Sequence, residues 1–449
     1  MLLGRHTVRL IRETFKLPNL FHVDNFIGFG LLFCFFYVCV LIASEVNALD
    51  PLEDAFDDVE LTDIMYSQLD KNSEFREYET DDGEKRVQAD TNITVVNIGF
   101  ISRAETAALI DIIQGCGPKV IGVDAFYSAR KDSIQDSLLH DVLKEHDNIV
   151  LVSEGLSYNE KTYCYDSIRF SDPFFSDHTH SGFANMITED KGDGDGQFNV
   201  CRKFVPKAPI RATDTEEYSF GAKVAGMYKP ESMELLKKRN RNEERINFIG
   251  NIYIPFFKEK YPKRTIPELP FPYYRSFDFP EIFQFEFDSI DFKNKIVLLG
   301  FLGERIYIDE GQDKFYTPLN HNYIGKANKD MYGVILHANI ISTIIHEIYI
   351  DEMWDSAMHI IGIISVFLLL ALYRPVHRDY RVWFDGVTKT ISLIVTFTIL
   401  FIIGIVFEFT NFELKFGTIY FACILLAGDF MEFYYGLLKN LARKAKENL

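Results

Sequence analysis

In "GPKVIGVDAFYS", Gly117 to Ser128, a β-favouring run from Val120 to Val123 ends on an acid, Asp124, and then breaks. A carboxylate so placed can serve as a general base, a metal ligand, or a strand-end residue that holds a turn by hydrogen bonds. With Ser102 it offers the outline of a hydrolase, but no second motif accompanies it, and the turn-holding role is the simpler reading. A second acidic stretch, "EDKGDGDGQFN", offers Asp190, Asp193 and Asp195 as oxygen ligands for calcium. An EF-hand loop needs acids at positions 1, 3 and 5, glycine at 6 and glutamate at 12. Counted from Asp193, the last three of these fall on Gln197, Phe198 and Phe204, so a plain hairpin loop is expected. His337, His346 and His359 are too widely spaced for one helical metal site and read as packing residues. Cys164 and Cys201 could form a disulfide in an oxidising compartment or remain reduced and buried. No P-loop, GxGxxG, HExxH, GxSxG or CxxC occurs between the apolar ends of the chain. The expectation is therefore no cofactor, no metal and no enzyme activity.

These residues sit in a chain of two populations. Its 449 residues leave room for two or three domains. The 47% hydrophobic content is concentrated at the ends. Asn25 to Ala43 is a charge-free apolar run of the length that crosses ~30 Å of hydrocarbon. Three more runs follow at about 357–373, 390–407 and 416–430. "VNA", Val46 to Ala48, loosely resembles a cleavage site, but the first run is longer than a signal-peptide core, which favours an uncleaved anchor. Arg5, Arg9, Arg12 and Lys16 precede the first run, Arg374, Arg378, Arg381 and Lys389 lie between the second and third, and Lys439, Arg443, Lys444 and Lys446 follow the fourth. Cationic flanks stay in the cytoplasm. Both termini are thus expected inside, with the large central region extracytoplasmic in a bacterial inner or plasma membrane. Asp429 in the fourth run, with Glu432 beside it and Lys439 two turns on, reads as a cytoplasmic-end interface. The net charge of −18 lies mostly in the central region and repels phosphate polymers, so nucleic acid is not expected as a partner.

The central region alternates apolar strands with amphipathic helices. "NITVVNIGF", "KVIGVDAF" and "NIVLVS" read as strands, separated by helices at Arg103 to Cys116 and "SIQDSLLHDVLKEH". Continuous apolar strands joined by helical crossovers imply an α/β fold with a mostly parallel sheet sandwiched by helices. The middle is less regular: "SFGAKVAGMY" suggests a helix and "RINFIGN" a further strand. The aromatic stretch Pro270 to Phe287 reads as core packing before a recognition surface. "FKNKIVLLGF" is a late strand, and "YGVILHANIISTIIHEIYI" has helical spacing and contains no proline, so one continuous helix is expected to run into the second span. The expected division is a basic N-terminus at 1–24, a transmembrane helix at 25–43, an acidic lead-in at 44–90, a sensor-type domain at 91–355, three transmembrane helices at 356–434 and a basic tail at 435–449. In a parallel sheet the strand C-termini share one edge, where ligands bind. That edge would carry Ser102, Arg103, Asp124, Ser153 and Glu304 as candidate ligand-binding residues.

The ordered set "TVVNIG", "PKVIGVDAFYS", "NIVLVS", "INFIG", "YRSF", "FKNKIVLLG", "DKFYTPL" and "YGVILHANIISTII" resembles the second type of CHASE domain, the cyclase/histidine kinase-associated sensory extracellular domains of bacterial receptors. The resemblance covers about Val95 to Ile345, and one N-terminal span with three C-terminal ones matches that family's usual layout. Two departures stand out. The family's acidic turn and Trp-Pro-Arg segment after the first strand are replaced here by "GFISRAE", and no kinase or cyclase follows the last span within this sequence. The resemblance implies a sensory receptor that binds a ligand or envelope partner, signals through a separate cytoplasmic protein and can form a homo-oligomer. The alternative is a non-sensing membrane scaffold of a cell-envelope assembly.

Overall fold

The computed structural model describes residues 12, 14–43, 77–79, 85–159, 161–187, 200–252, 273–306, 311–320 and 329–441. The chain divides into two compact units, Asp58–Ile350 and the combination of Met1–Asp57 with Asp351–Leu449. The loop carrying Asp190, Asp193 and Asp195 lies outside the described residues, as does most of the lead-in at 44–90.

In the first unit the principal elements are β1 (Ile93–Asn97), α1 (Arg103–Gln114), β2 (Val120–Val123), α2 (Ser133–Glu145), β3 (Ile149–Asn159), β4 (Cys164–Arg169), β5 (His180–Phe183), β6 (Lys207–Ile210), β7 (Thr215–Tyr218), α3 (Phe220–Tyr228), β8 (Arg275–Asp278), β9 (Ile296–Gly300) and α4 (Gly333–Ile345). The described residues form one nine-stranded sheet in the order β7-β6-β4-β3-β2-β9-β1-β8, with β5 beside the first half of β3. Strands β8, β1, β9, β2, β3 and β5 run parallel. The second half of β3 pairs antiparallel with β4, and β6 with β7, so the sheet is mixed around a parallel centre.

Every residue of β1, β2 and β9 is buried, as strands covered on both faces require. On one face Val96, Ile121, Val123, Leu151, Val297 and Leu299 meet Leu109, Ile110 and Ile113 of α1 and Leu139 and Leu143 of α2. On the other face the two helices approach closely because glycine leaves them room. A Cβ on Gly122 would lie 2.8 Å from the Phe220 ring of α3, and one on Gly300 would lie 2.6 Å from Val334 of α4. The layers are helix, sheet, helix.

Two expectations need correction. The continuous helix is broken: α4 ends at Ile345 and the next helix starts at Asp355. The terminator is a Schellman motif, in which Glu347 donates to the Ile344 carbonyl (3.2 Å) and Ile348 to the Thr343 carbonyl (3.1 Å). Its left-handed position is held by Glu347 at φ 58°, where glycine is usual, so the stop signal is hidden from the sequence. The segment "RINFIGN" is not a regular strand. Its backbone is satisfied instead by side chains of α4: the amides of Ile249 and Gly250 donate to Asn339 Oδ1 at 2.9 and 3.2 Å, and that of Asn247 donates to Thr343 Oγ1 at 3.2 Å. Cys164 and Cys201 are both buried and are not joined by a disulfide.

Among the described residues the second unit holds four helices long and apolar enough to cross a membrane, Leu17–Cys39, Asp355–Asp379, Arg381–Thr410 and Thr418–Leu441. Leu32, Val366, Leu370, Tyr373, Cys423 and Met431 form their shared core. Several buried polar groups there are paired, as a site without water favours. The Tyr373 hydroxyl donates to the Thr388 carbonyl (2.9 Å), and Ser392 Oγ donates to that of Ile424 (2.7 Å). Asp24 accepts from the Tyr434 hydroxyl (2.9 Å) and from Lys439 Nζ (2.7 Å), across a π-helical turn at Tyr434–Leu438. Lys439 therefore pairs with Asp24, while Asp429 lies 3.8 Å from Lys389. The only two tryptophans, Trp354 and Trp383, flank the second helix and are 80% and 73% exposed, the placement of interfacial aromatic anchors.

Candidate functional site

The C-terminal ends of β8, β1 and β9 meet around a buried amide. Asn97, the last residue of β1, donates from Nδ2 to Asp278 Oδ1 (2.7 Å) and to the Gly303 carbonyl (3.0 Å). Its Oδ1 accepts from the amides of Gly99 (3.0 Å) and Leu302 (2.8 Å). One side chain thus fixes the turn after β1, the turn after β9 and the end of β8.

Asp124 extends the β2 ladder by one residue, its amide donating to the Leu299 carbonyl at 2.7 Å. Alternation with Gly122 turns it toward the α3/α4 side of the sheet. Beside it is Asp313, in the left-handed conformation at φ 54°. The Asp313 carbonyl accepts from the Gly333 amide (3.1 Å), and its carboxylate lies 3.2 Å from where a Cβ on Gly333 would sit. Asp313 is therefore held at the first residue of α4, where the helix end favours negative charge. Burial and the charge of Asp313 push Asp124 up to about 7. Burial pushes Asp313 up to about 6, against the pull of Lys329. Among the described residues neither side chain accepts a hydrogen bond. Asp330, three residues before α4, is also pushed up to about 7 by burial, although Thr317 and Asn320 donate to it. One turn into α4, His337 packs edge-on against Phe220 at 4.8 Å with Nδ1 unpartnered. Burial pushes its pKa down to about 3, so it is neutral.

The other candidate residues lie apart from this pair. Ser102 caps α1 in a reciprocal box with Glu105: the Glu105 amide donates to Ser102 Oγ at 3.2 Å, and the Ser102 amide to Glu105 Oε2 at 2.7 Å. Arg103 is ion-paired with Asp136 of α2 and donates to the Ala129 carbonyl at 2.7 Å. Ser102 is thus engaged within α1, and Arg103 in joining α1 to α2. Ser153 is buried with its Oγ unpartnered, and alternation with Ile149 and Leu151 places it on the α1/α2 face, opposite Asp124. Glu304 is exposed in the turn that Asn97 holds. Sequence reasoning missed Asp313, Asn97 and Asp278. Asp313 stands in "DKFYTPL", but nothing in that stretch ties it to Asp124, nearly two hundred residues earlier.

His337, His346 and His359 do not converge. His346 binds Asp90 (Nε2 to Oδ2, 2.8 Å) and His359 lies 2.8 Å from the Tyr420 hydroxyl. Among the described residues no group of three or more His, Cys, Asp or Glu side chains could hold a metal.

The α/β domain is set in sequence between one helix long and apolar enough to cross a membrane and three others, the layout of a membrane-anchored domain. Residues 84–372 match the model of the CHASE2 domain, and the chain belongs to that family, whose domains are sensory and extracellular. No curated protein and no solved structure matches the chain.

Proposed function

We propose that this protein is a membrane sensor whose α/β domain lies outside the cytoplasm, binds a cationic ligand or partner group at the strand edge carrying Asp124 and Asp313, and signals through a separate cytoplasmic protein. The observation that carries this reading is the pair of carboxylates near the start of α4, neither of them offered a hydrogen bond among the described residues. Asp124 is half-buried and Asp313 exposed; two adjacent acids repel one another, and positive charge supplied beside them favours the state in which both are ionised. A ligand ammonium or guanidinium group supplies it. The family's sensory role and the cationic flanks of the apolar helices support the same assignment. Such a ligand acts by binding two conformations of the domain unequally, each tenfold preference moving their balance by ~1.4 kcal/mol. Binding suffices for this role, and no catalytic step is assigned to Asp124.

Spermidine serves as the probe. Titrated into the full-length protein in lipid nanodiscs at pH 8, it is expected to raise the melting temperature by a few degrees, about what ligand at 10 to 100 times its Kd provides. The Asp124→Asn/Asp313→Asn double variant should lose most of that rise. An equal rise in both proteins would show that the acidic surface at large, and not this pair, takes up the cation.

A further inference from the structure

The segment 346–354 between α4 and the second membrane helix is fixed at both of its ends. At one end His346, the C-cap of α4, is bound to Asp90, which is itself fully buried and also accepts from Ser342 Oγ (2.7 Å). At the other end Asp351 and Glu352 form a two-residue parallel strand pair with Phe412 and Glu413, in the turn that joins the third and fourth membrane helices. The Asp351 amide donates to the Asn411 carbonyl and the Met353 amide to that of Glu413, each at 3.0 Å. Lys415 completes the clamp: its Nζ lies 2.7 Å from Glu352 and 3.6 Å from Asp355. Asn411 takes the left-handed position that ends the third helix, so the chain turns directly into the pairing strand.

We propose that this strand clamp is the transmission element, handing movement of the segment after α4 to the hairpin of the third and fourth membrane helices as well as to the second helix. The inference rests on the sensory reading above. A broken helix cannot push rigidly along its axis, and the Schellman turn at Glu347 removes that route. A strand pair of two residues has a different use. It is too short to be stable alone, so its order depends on how the attached segment is held. Elements that respond to signals are drawn from this low-stability end of a fold.

The test is amide hydrogen exchange of the full-length protein in nanodiscs, followed by mass spectrometry, with no ligand added. His346→Ala, which frees the end of α4 from Asp90, is expected to speed exchange about tenfold both in peptides spanning 350–354 and in those spanning 410–416. Peptides covering β1 should be unchanged, and His346→Gln, which keeps a donor toward Asp90, should restore slow exchange. In a Lys415→Ala background the His346→Ala effect on 410–416 should vanish. Faster exchange at 350–354 with 410–416 at its native rate would overturn the proposal. Should His346→Ala disturb β1, Glu352→Ala decides instead: it must speed exchange at 410–416 from the clamp side, and a native rate there refutes the clamp. Because no ligand is used, failure here leaves the cation-binding result standing, and a negative spermidine result leaves this one standing.

Discussion

Asn97→Ala is expected to lower the melting temperature of the full-length protein by roughly 10 °C, the consequence of about 3–5 kcal/mol lost from one fully buried side chain. The substitution leaves two backbone donors, Gly99 and Leu302, and two acceptors, Asp278 and the Gly303 carbonyl, without their partner in a site closed to water. Unmet buried groups cost more than the bonds gained, which is why the effect exceeds that of an ordinary core truncation of this size. Asn97→Asp is expected to be no better. It keeps the acceptor for Gly99 and Leu302 but sets a second carboxylate at hydrogen-bond distance from Asp278, whose own pKa burial already raises. Thermal melts of the two variants beside the parent protein check this. A loss under 1 kcal/mol in Asn97→Ala would mean that the strand edge is held some other way.

Asp124→Asn is expected to stabilise the protein at pH 8 and to change little at pH 4. The sign follows from proton binding. Asp124 titrates at about 7 in the folded protein, against an ordinary value of 3.8. Below pH 4 both folded and unfolded chains hold the proton, and no penalty exists. Between pH 4 and 7 the unfolded chain releases it while the folded one retains it, so stability falls as pH rises, and above 7 the loss is complete. Asparagine removes the charge and with it the repulsion from Asp313. For a half-buried group the gain at pH 8 is about 1–3 kcal/mol, a rise of several degrees. Asp313→Asn should act in the same direction over a window that closes near pH 6. Melting temperatures measured from pH 4 to 8 give the curve directly. A variant whose difference from the parent does not grow with pH would show Asp124 to be ionised and compensated.

The parallel centre of the sheet was legible because its strands are buried on both faces. "ITVVN", "VIGV" and "IVLLG" carry no alternation that a half-exposed strand would need. Asp124 was legible as a strand-end acid for the same reason. What was hidden depends on distant partners or on an unusual residue in a usual turn. "RINFIGN" has a strand's composition, but its hydrogen bonds go to Asn339 and Thr343 about ninety residues later, a pairing no local pattern encodes. The end of α4 was hidden because glutamate, not glycine, occupies the left-handed position. Ser102 and Arg103 stand in the right stretch of chain, yet the capping box and the Asp136 pair direct them to α1 and α2. Asp313 became visible only when the fold set it against Asp124.

The placement of the α/β domain outside the cytoplasm is the claim on which the sensory reading depends, and labelling of intact cells tests it most directly. Single cysteines are introduced at Asp190, in the glycine-rich acidic loop, and at Arg378, at the end of the second membrane helix. A membrane-impermeant maleimide is then applied, with the parent protein as background. The account predicts that the cysteine at 190 is labelled in intact cells, and that the one at 378 is labelled only after the membrane is opened. Labelling at 378 with protection at 190 would contradict it, placing the domain in the cytoplasm.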